Sequence, residues 1–170
     1  MIDKVVKQGP AQDSVDSLAK RIMKITYKGD YALKVMLDLA LHYKNGISQI
    51  KDISERQDIP LKYLEQIVLV LKGSGYIRSK RGPEGGVFLA KSPEKIKLGE
   101  IIRLMDGTTA PITCVSKTEI TKCDYFRACP FKDIFIDIRN YINNVLDRTT
   151  FADMVEKTKR MSAASIDYSI

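Results

Sequence analysis

The sequence predicts a mainly α-helical fold with one small β-hairpin: a winged helix-turn-helix followed by a long dimerisation helix. Three observations predict it. Two amphipathic segments joined by about three residues precede a pair of strand-like runs around the turn "GPEGG". A later segment carries an apolar stripe with seven-residue repeats and has little chain left to cover it. Between these regions lies one polar stretch, "CVSKTEITKCDYFRACP", that holds all three cysteines of the chain.

Taken in order, residues 1–22 read as a polar extension containing Gly9-Pro10, without a sustained period and expected to be disordered. The winged unit is expected over 23–91. In "DYALKVMLDLALHY", Leu33, Met36, Leu37, Ala40 and Leu41 fall on one helical stripe, which Asn45-Gly46 ends. Ser48 is the candidate N-cap of a short helix ending near Gln57. Pro60 sits where a second helix would start, a position that tolerates its missing N–H. In that helix Leu61, Leu64, Ile67, Val68 and Leu71 are expected to face inward, with Gly73 and Gly75 stopping it. On this stretch alone the pair is equally a generic helical hairpin. Strands over 76–81 and 86–90 complete the order of a winged helix-turn-helix. Arg78, Lys80 and Arg81 beside the turn form a basic tip suited to the minor groove, where the potential is most negative. A phosphate-cradling glycine loop is rejected, because a strand rather than a helix follows the glycines.

A connecting helix is expected within 92–106, with Leu98, Ile101, Ile102 and Met105 on one face and Gly107 closing it. The cysteine loop occupies 107–130. Over 131–160 the helical period returns, and Ile134, Phe135, Ile138, Tyr141, Ile142 and Val145 form the long stripe. A second copy of the chain is the natural cover for it. Thr150 and Asp153 resemble a capping box opening a last helix through Arg160, and 161–170 is a tail without pattern.

Composition narrows the function classes. An apolar fraction of 44% with 29% charged residues fits a soluble globular protein. No run approaches the roughly 20 apolar residues of a membrane span, and the N-terminus lacks the apolar core of a secretory signal. A cytoplasmic setting, with reduced thiols, is therefore expected. The net charge of +7 suggests a polyanionic partner. One histidine, no nucleophile motif and no cofactor loop argue against an enzyme. Eight residues separate Cys114 from Cys123, and five separate Cys123 from Cys129. These spacings match neither zinc, thioredoxin-like nor ferredoxin patterns. His42 reads as a surface or partly packed residue. Two readings stay open: a thiol switch with Lys122 and Arg127 favouring thiolates, or three ligands of a metal cluster whose fourth comes from elsewhere.

The stretches "ITYKGDYALKVMLDLAL", "DISERQDIPLKYLEQIVLVLKGSGYIRSKRGPEGGVFLA" and "LGEIIRLMDG", with the three cysteines and the long helix, resemble the family of winged-helix regulators that includes IscR, NsrR, RirA and CymR. The resemblance covers about residues 23–157. It implies a homodimeric transcriptional repressor whose affinity for a double-stranded DNA operator is controlled by an iron–sulfur cluster sensing iron, redox state or nitric oxide. Cys114, Cys123 and Cys129 match the family's three cluster ligands. Where the 2Fe–2S regulators carry a histidine this chain has Lys132, which cannot ligate while protonated. The nitric-oxide-sensing relatives instead use an aspartate just before "YAL", donated by the other subunit to a 4Fe–4S cluster. Here that residue is Asp30, so the resemblance favours 4Fe–4S over 2Fe–2S, with a low-molecular-weight thiol or water as the alternative fourth ligand. An acidic residue in the first turn of a helix is also stabilised by the dipole without any metal. For DNA, the resemblance points to Pro60, Lys62, Tyr63, Glu65 and Gln66 on the recognition helix, with Arg78, Lys80 and Arg81 on the wing. Gln66 suits adenine and Lys62 suits phosphate or guanine, whereas Glu65, matching a glutamate that tunes site choice between apo and cluster-bound forms, repels phosphate unless it takes a cytosine amino group or swings away. The alternative within the family is a cofactor-free regulator controlled by a partner protein or by thiol oxidation.

Overall fold

The structure is a computed structural model that describes residues 25–118 and 120–167. The extension expected over residues 1–22 lies outside the described residues.

Helix α1 (Tyr27–Leu41) begins at Thr26, whose hydroxyl accepts from the Gly29 N–H. Its deeply buried stripe is Ala32, Val35, Met36, Leu39 and Ala40. This stripe lies beside the expected one: of that set, Leu33 and Leu37 are half-buried at its edge and so is Leu41. The helix is apolar around most of its girth, so two adjacent stripes fit the same period. Packing from several neighbouring helices selects the deeper one.

Within that buried stripe sits Asp38, 1% exposed. Its carboxylate accepts from Arg56 Nε at 2.9 Å and Arg56 Nη2 at 2.8 Å, and from Gln57 Nε2 at 3.1 Å. His42, half-buried as expected, lies 2.8 Å from the Asp38 carbonyl oxygen through Nδ1. Arg56 and Gln57 end α2 (Ile50–Gln57), so the contact fixes how α2 crosses α1.

Ser48 does not cap α2; Gln49 precedes the helix instead. The backbone of Ser48 is extended and pairs with Val87, its N–H donating at 2.9 Å and its carbonyl accepting at 2.8 Å. Gly86 makes the approach possible, because a Cβ there would meet the Ser48 carbonyl. After α2 the chain turns at Asp58, at a φ of 49°, and Ser54 Oγ donates to the Ile59 carbonyl at 2.7 Å. Pro60 then caps α3 (Leu61–Gly73). Leu64, Ile67, Val68 and Leu71 face inward as expected. Leu61 does not, being 45% exposed. As the first helical residue it projects past the edge of the core.

Strands β1 (Ile77–Lys80) and β2 (Gly86–Leu89) pair antiparallel, with Ile77 opposite Leu89 and Lys80 opposite Gly86. Gly82 in the connecting turn has a φ of 116°, which L side chains rarely adopt. Ile77, Val87 and Leu89 enter the core, whereas Arg78, Ser79 and Lys80 are exposed. Helix α4 (Leu98–Asp106) buries Ile101, Ile102 and Met105, and Gly107 ends it.

Helix α5 (Lys132–Arg148) buries none of its residues. Helix α6 (Phe151–Asp167) extends past the expected end at Arg160. It opens with the expected capping box: the Thr150 N–H donates to Asp153 Oδ2 at 2.8 Å and the Asp153 N–H to Thr150 Oγ1 at 3.2 Å. The Thr150 N–H and hydroxyl, both donating to its carboxylate, hold the exposed Asp153 carboxyl below its ordinary pKa. Phe151, 1% exposed, belongs to the same core as α1, α3 and the hairpin. Its N–H donates to the Ile96 carbonyl at 3.0 Å, and the Leu98 N–H donates to the Thr149 carbonyl at 3.0 Å. The last helix therefore returns to the winged unit.

The buried carboxylate yields a stability prediction. Arg56→Met should leave Asp38 buried without its charged partner. A fully buried pair broken in this way costs about 3–5 kcal/mol; with the Arg56 side chain 36% exposed, about 2 kcal/mol is expected. Replacing Asp38 by Asn in the same chain should recover part of the loss. Urea-unfolding midpoints of the three proteins check both outcomes.

Candidate metal centre and nucleic-acid interface

The cysteine loop leaves α4 at Gly107 and enters α5 at Lys132. Its base is tied by side chains. Thr108 Oγ1 and Ser116 Oγ share a buried hydrogen bond of 2.9 Å, and Thr118 Oγ1 donates to the Gly107 carbonyl at 3.3 Å. From α5, Arg139 Nη1 donates to the Val115 carbonyl at 2.6 Å. Asn143 Oδ1 accepts from Thr109 Oγ1 at 2.5 Å. Cys114 sits in the 3₁₀ turn Thr113–Val115 that Arg139 grips. The Cys123 carbonyl accepts from the Phe126 N–H at 3.0 Å, and the Cys129 carbonyl from the Lys132 N–H at 3.3 Å. The last cysteine is thereby joined to the first turn of α5.

All three thiols are free; Cys114 and Cys129 are half-buried and Cys123 is exposed. Cys114 and Cys123 line one pocket of about 680 Å³, walled by Val115, Ile120, Phe126 and Ile136. Burial pushes the Cys114 thiol above its ordinary pKa, and the neighbouring Cys123 and Cys129 push it further. For Cys114, then, the expected lowering by Lys122 and Arg127 does not hold. A raised pKa disfavours the Cys114 thiolate in the absence of a positive centre; a metal that coordinated the thiol would deprotonate it. The soft donor set fits an iron–sulfur cluster. Among the described residues no three Cys, His, Asp or Glu side chains are grouped to hold a single metal ion. Cys114, Cys123 and Cys129 are the residues that would hold a cluster, supplying thiolate donors to its irons.

Asp30 lies in the first turn of α1, half-exposed and paired with Lys34 Nζ at 3.0 Å. It does not line the cysteine pocket of its own chain. Lys132 Nζ rests 5.4 Å from the centre of the Phe126 ring and 3.8 Å from Asp133.

The nucleic-acid candidates occupy two exposed regions. Pro60 caps α3, and Lys62, Tyr63, Glu65 and Gln66 are all exposed on its first turns. Arg78, Lys80 and Arg81 are exposed on β1 and the start of the turn. Sequence reasoning missed an aromatic row joining α1 to α3. The Tyr27 and Tyr31 rings lie 6.2 Å apart, and the Tyr31 and Tyr63 rings meet edge-on at 6.5 Å. The i, i+4 spacing of Tyr27 and Tyr31 is its only local signal.

Comparison with known proteins places this arrangement. The family model described as "Rrf2: Iron-dependent Transcriptional regulator" matches residues 25–157. The HTH-type transcriptional regulator CymR of Bacillus subtilis is 33% identical over 146 residues, covering 86% of this chain and 99% of the relative. The HTH-type transcriptional regulator IscR of Yersinia pseudotuberculosis is 35% identical over 142 residues, covering 84% of this chain and 85% of the relative. The solved structure of T. potens IscR superposes with a TM-score of 0.65 at 36% identity, covering 79% of this chain and 88% of that one. Fold, sequence and extent agree: the chain belongs to the Rrf2 family of transcriptional regulators, DNA-binding proteins rather than enzymes.

Proposed function

We propose that the protein is a homodimeric repressor, acting in the cytoplasm, whose affinity for a double-stranded operator is set by an iron–sulfur cluster held on Cys114, Cys123 and Cys129. The observation that carries this reading is the tethering of the cysteine loop to an unburied helix. Three free thiols lie in a loop gripped by Arg139 of α5, and the α5 stripe through Ile134, Ile138, Tyr141 and Val145 is exposed. A second copy covering that stripe accounts for an apolar face that the chain itself leaves open.

When bound, the cluster supplies an iron centre reactive toward oxygen or nitric oxide. The three cysteines hold it as thiolates, and Asp30 of the partner subunit is the proposed fourth ligand. That choice favours 4Fe–4S over 2Fe–2S, because Lys132 stands where a histidine would be needed. Residues 107–130 order against α5 when the thiolates are held together, and α5 carries that order to the dimer. On DNA, Gln66 presents a bidentate amide to adenine and Lys62 reaches phosphate or guanine. Pro60 and Tyr63 approach the backbone at the start of α3. Glu65 accepts from a cytosine amino group. Arg78, Lys80 and Arg81 follow the minor groove from the wing.

A second reading rests on the free thiols of Cys114 and Cys123 lining one pocket. Such a pair is placed for oxidation, and the similarity to CymR is close in extent. In this reading the regulator is cofactor-free and answers to thiol oxidation or to a partner protein.

Anaerobic purification with iron and sulfide assay separates the two. The first reading expects a coloured protein that loses its colour when any of the three cysteines is changed to Ala. It also expects different affinities of cluster-bound and apo protein for one duplex at one salt concentration. Equal affinities would refute cluster control. Sedimentation checks the dimer: the wild type should be dimeric and Ile138→Asp monomeric. Arg81→Ala should weaken DNA binding and reduce the salt-dependence slope by about one counterion, measured by titration across a salt series.

A further inference from the structure

The N-terminus of α1 is held from a distance. Thr26 Oγ1 donates to Asp106 Oδ1 at 2.6 Å, and the Thr26 N–H donates to Asp106 Oδ2 at 3.2 Å, across 80 residues of sequence. The same hydroxyl accepts from the Gly29 N–H at 3.3 Å. Asp106 is the last residue of α4, immediately before the cysteine loop. Gly29 leaves room for it: a Cβ on Gly29 would run into the Asp106 carboxylate. A carboxylate at this end of a helix is favoured both by the dipole and by the N–H and O–H donors of Thr26 that it receives. The turn it holds also carries Tyr27, and one turn further on lies Tyr31, whose ring meets Tyr63 on the first turn of α3.

We propose that Asp106 is a positioning residue for DNA recognition: by fixing the first turn of α1, it sets through Tyr31 and Tyr63 the placement of the N-terminal turn of α3. The proposal rests on DNA binding by the family and is independent of cluster control.

Electrostatics and positioning predict opposite signs for this residue. Removing a carboxylate from a DNA-binding protein strengthens its attraction to phosphate. Loss of positioning weakens recognition of a preferred sequence. The probe is a duplex selected from a random-sequence library by the full-length wild-type protein, compared with a scrambled duplex of equal length. Asp106→Ala should bind the selected duplex about tenfold more weakly, equivalent to about 1.4 kcal/mol, while the scrambled duplex binds as well or better. A purely structural role would lower thermal stability and leave the ratio of the two affinities, for folded protein, unchanged. Gly29→Ala gives a second reading that retains the charge. It should reproduce the loss by displacing the carboxylate, and it should have no further effect in the Asp106→Ala background, where the space is free. Wild-type discrimination by either folded variant would overturn the proposal. Failure of both to fold would place Asp106 in the scaffold alone and overturn it equally.

Discussion

A carboxylate buried in the central helix governs much of this molecule. Asp38 is shut away from water, and a charge so placed is tolerated only with a full set of donors. Arg56 and Gln57 supply them from the last turn of α2. Their hydrogen bond to the carboxylate also makes Arg56 still harder to deprotonate. Because the donors stand at the end of α2, they settle where the chain leaves that helix. The turn through Asp58 and Ile59 follows directly, and Pro60 then opens α3. The direction of α3 is thus inherited from a polar contact inside an apolar core.

The opposite regime holds at α5. It buries no residue, and polar tethers connect it to the rest of its chain. Arg103 Nη2 lies 2.5 Å from Asp147 Oδ1, where Gly99 leaves space for the carboxylate. Arg139 grips Val115, and Asn143 meets Thr109. Such contacts are weaker and more open to competition from water and salt than apolar packing. The winged unit is therefore built to hold its shape, and the segment bearing the cysteines is joined to it by bonds that rearrange at lower cost.

Local chemistry was readable where one residue type decides the backbone. Pro60, Gly107 and the Thr150–Asp153 pair mark helix ends in the sequence and in the structure alike. The wing followed from glycines that no other residue replaces easily, with Gly82 at positive φ. Legibility failed where several answers satisfy one pattern. The apolar girth of α1 fits two stripes, and only its neighbours choose between them. Ser48 has the chemistry of a cap, yet its backbone pairs with a strand almost forty residues away in sequence. At the candidate site, the three cysteines were legible as a set from their crowding in one polar stretch. The raised pKa of Cys114 was not, since it depends first on burial. The Asp106 contact with Thr26 and the Tyr31 contact with Tyr63 leave no trace in any local window.

Phe151 carries a consequence for the order in which the protein is made. Its ring completes a core whose other members lie between Ala32 and Met105. The loop and α5 are thus an excursion between two parts of one hydrophobic nucleus, closed at its neck by the bonds between Ile96 and Phe151 and between Leu98 and Thr149. During synthesis the winged unit emerges from the ribosome with that nucleus open on one side, and it stays open until α6 follows. A nascent chain therefore does not reach a finished winged unit ahead of its cysteine loop. Winged unit and cysteine loop reach their mature form together, when the last helix docks.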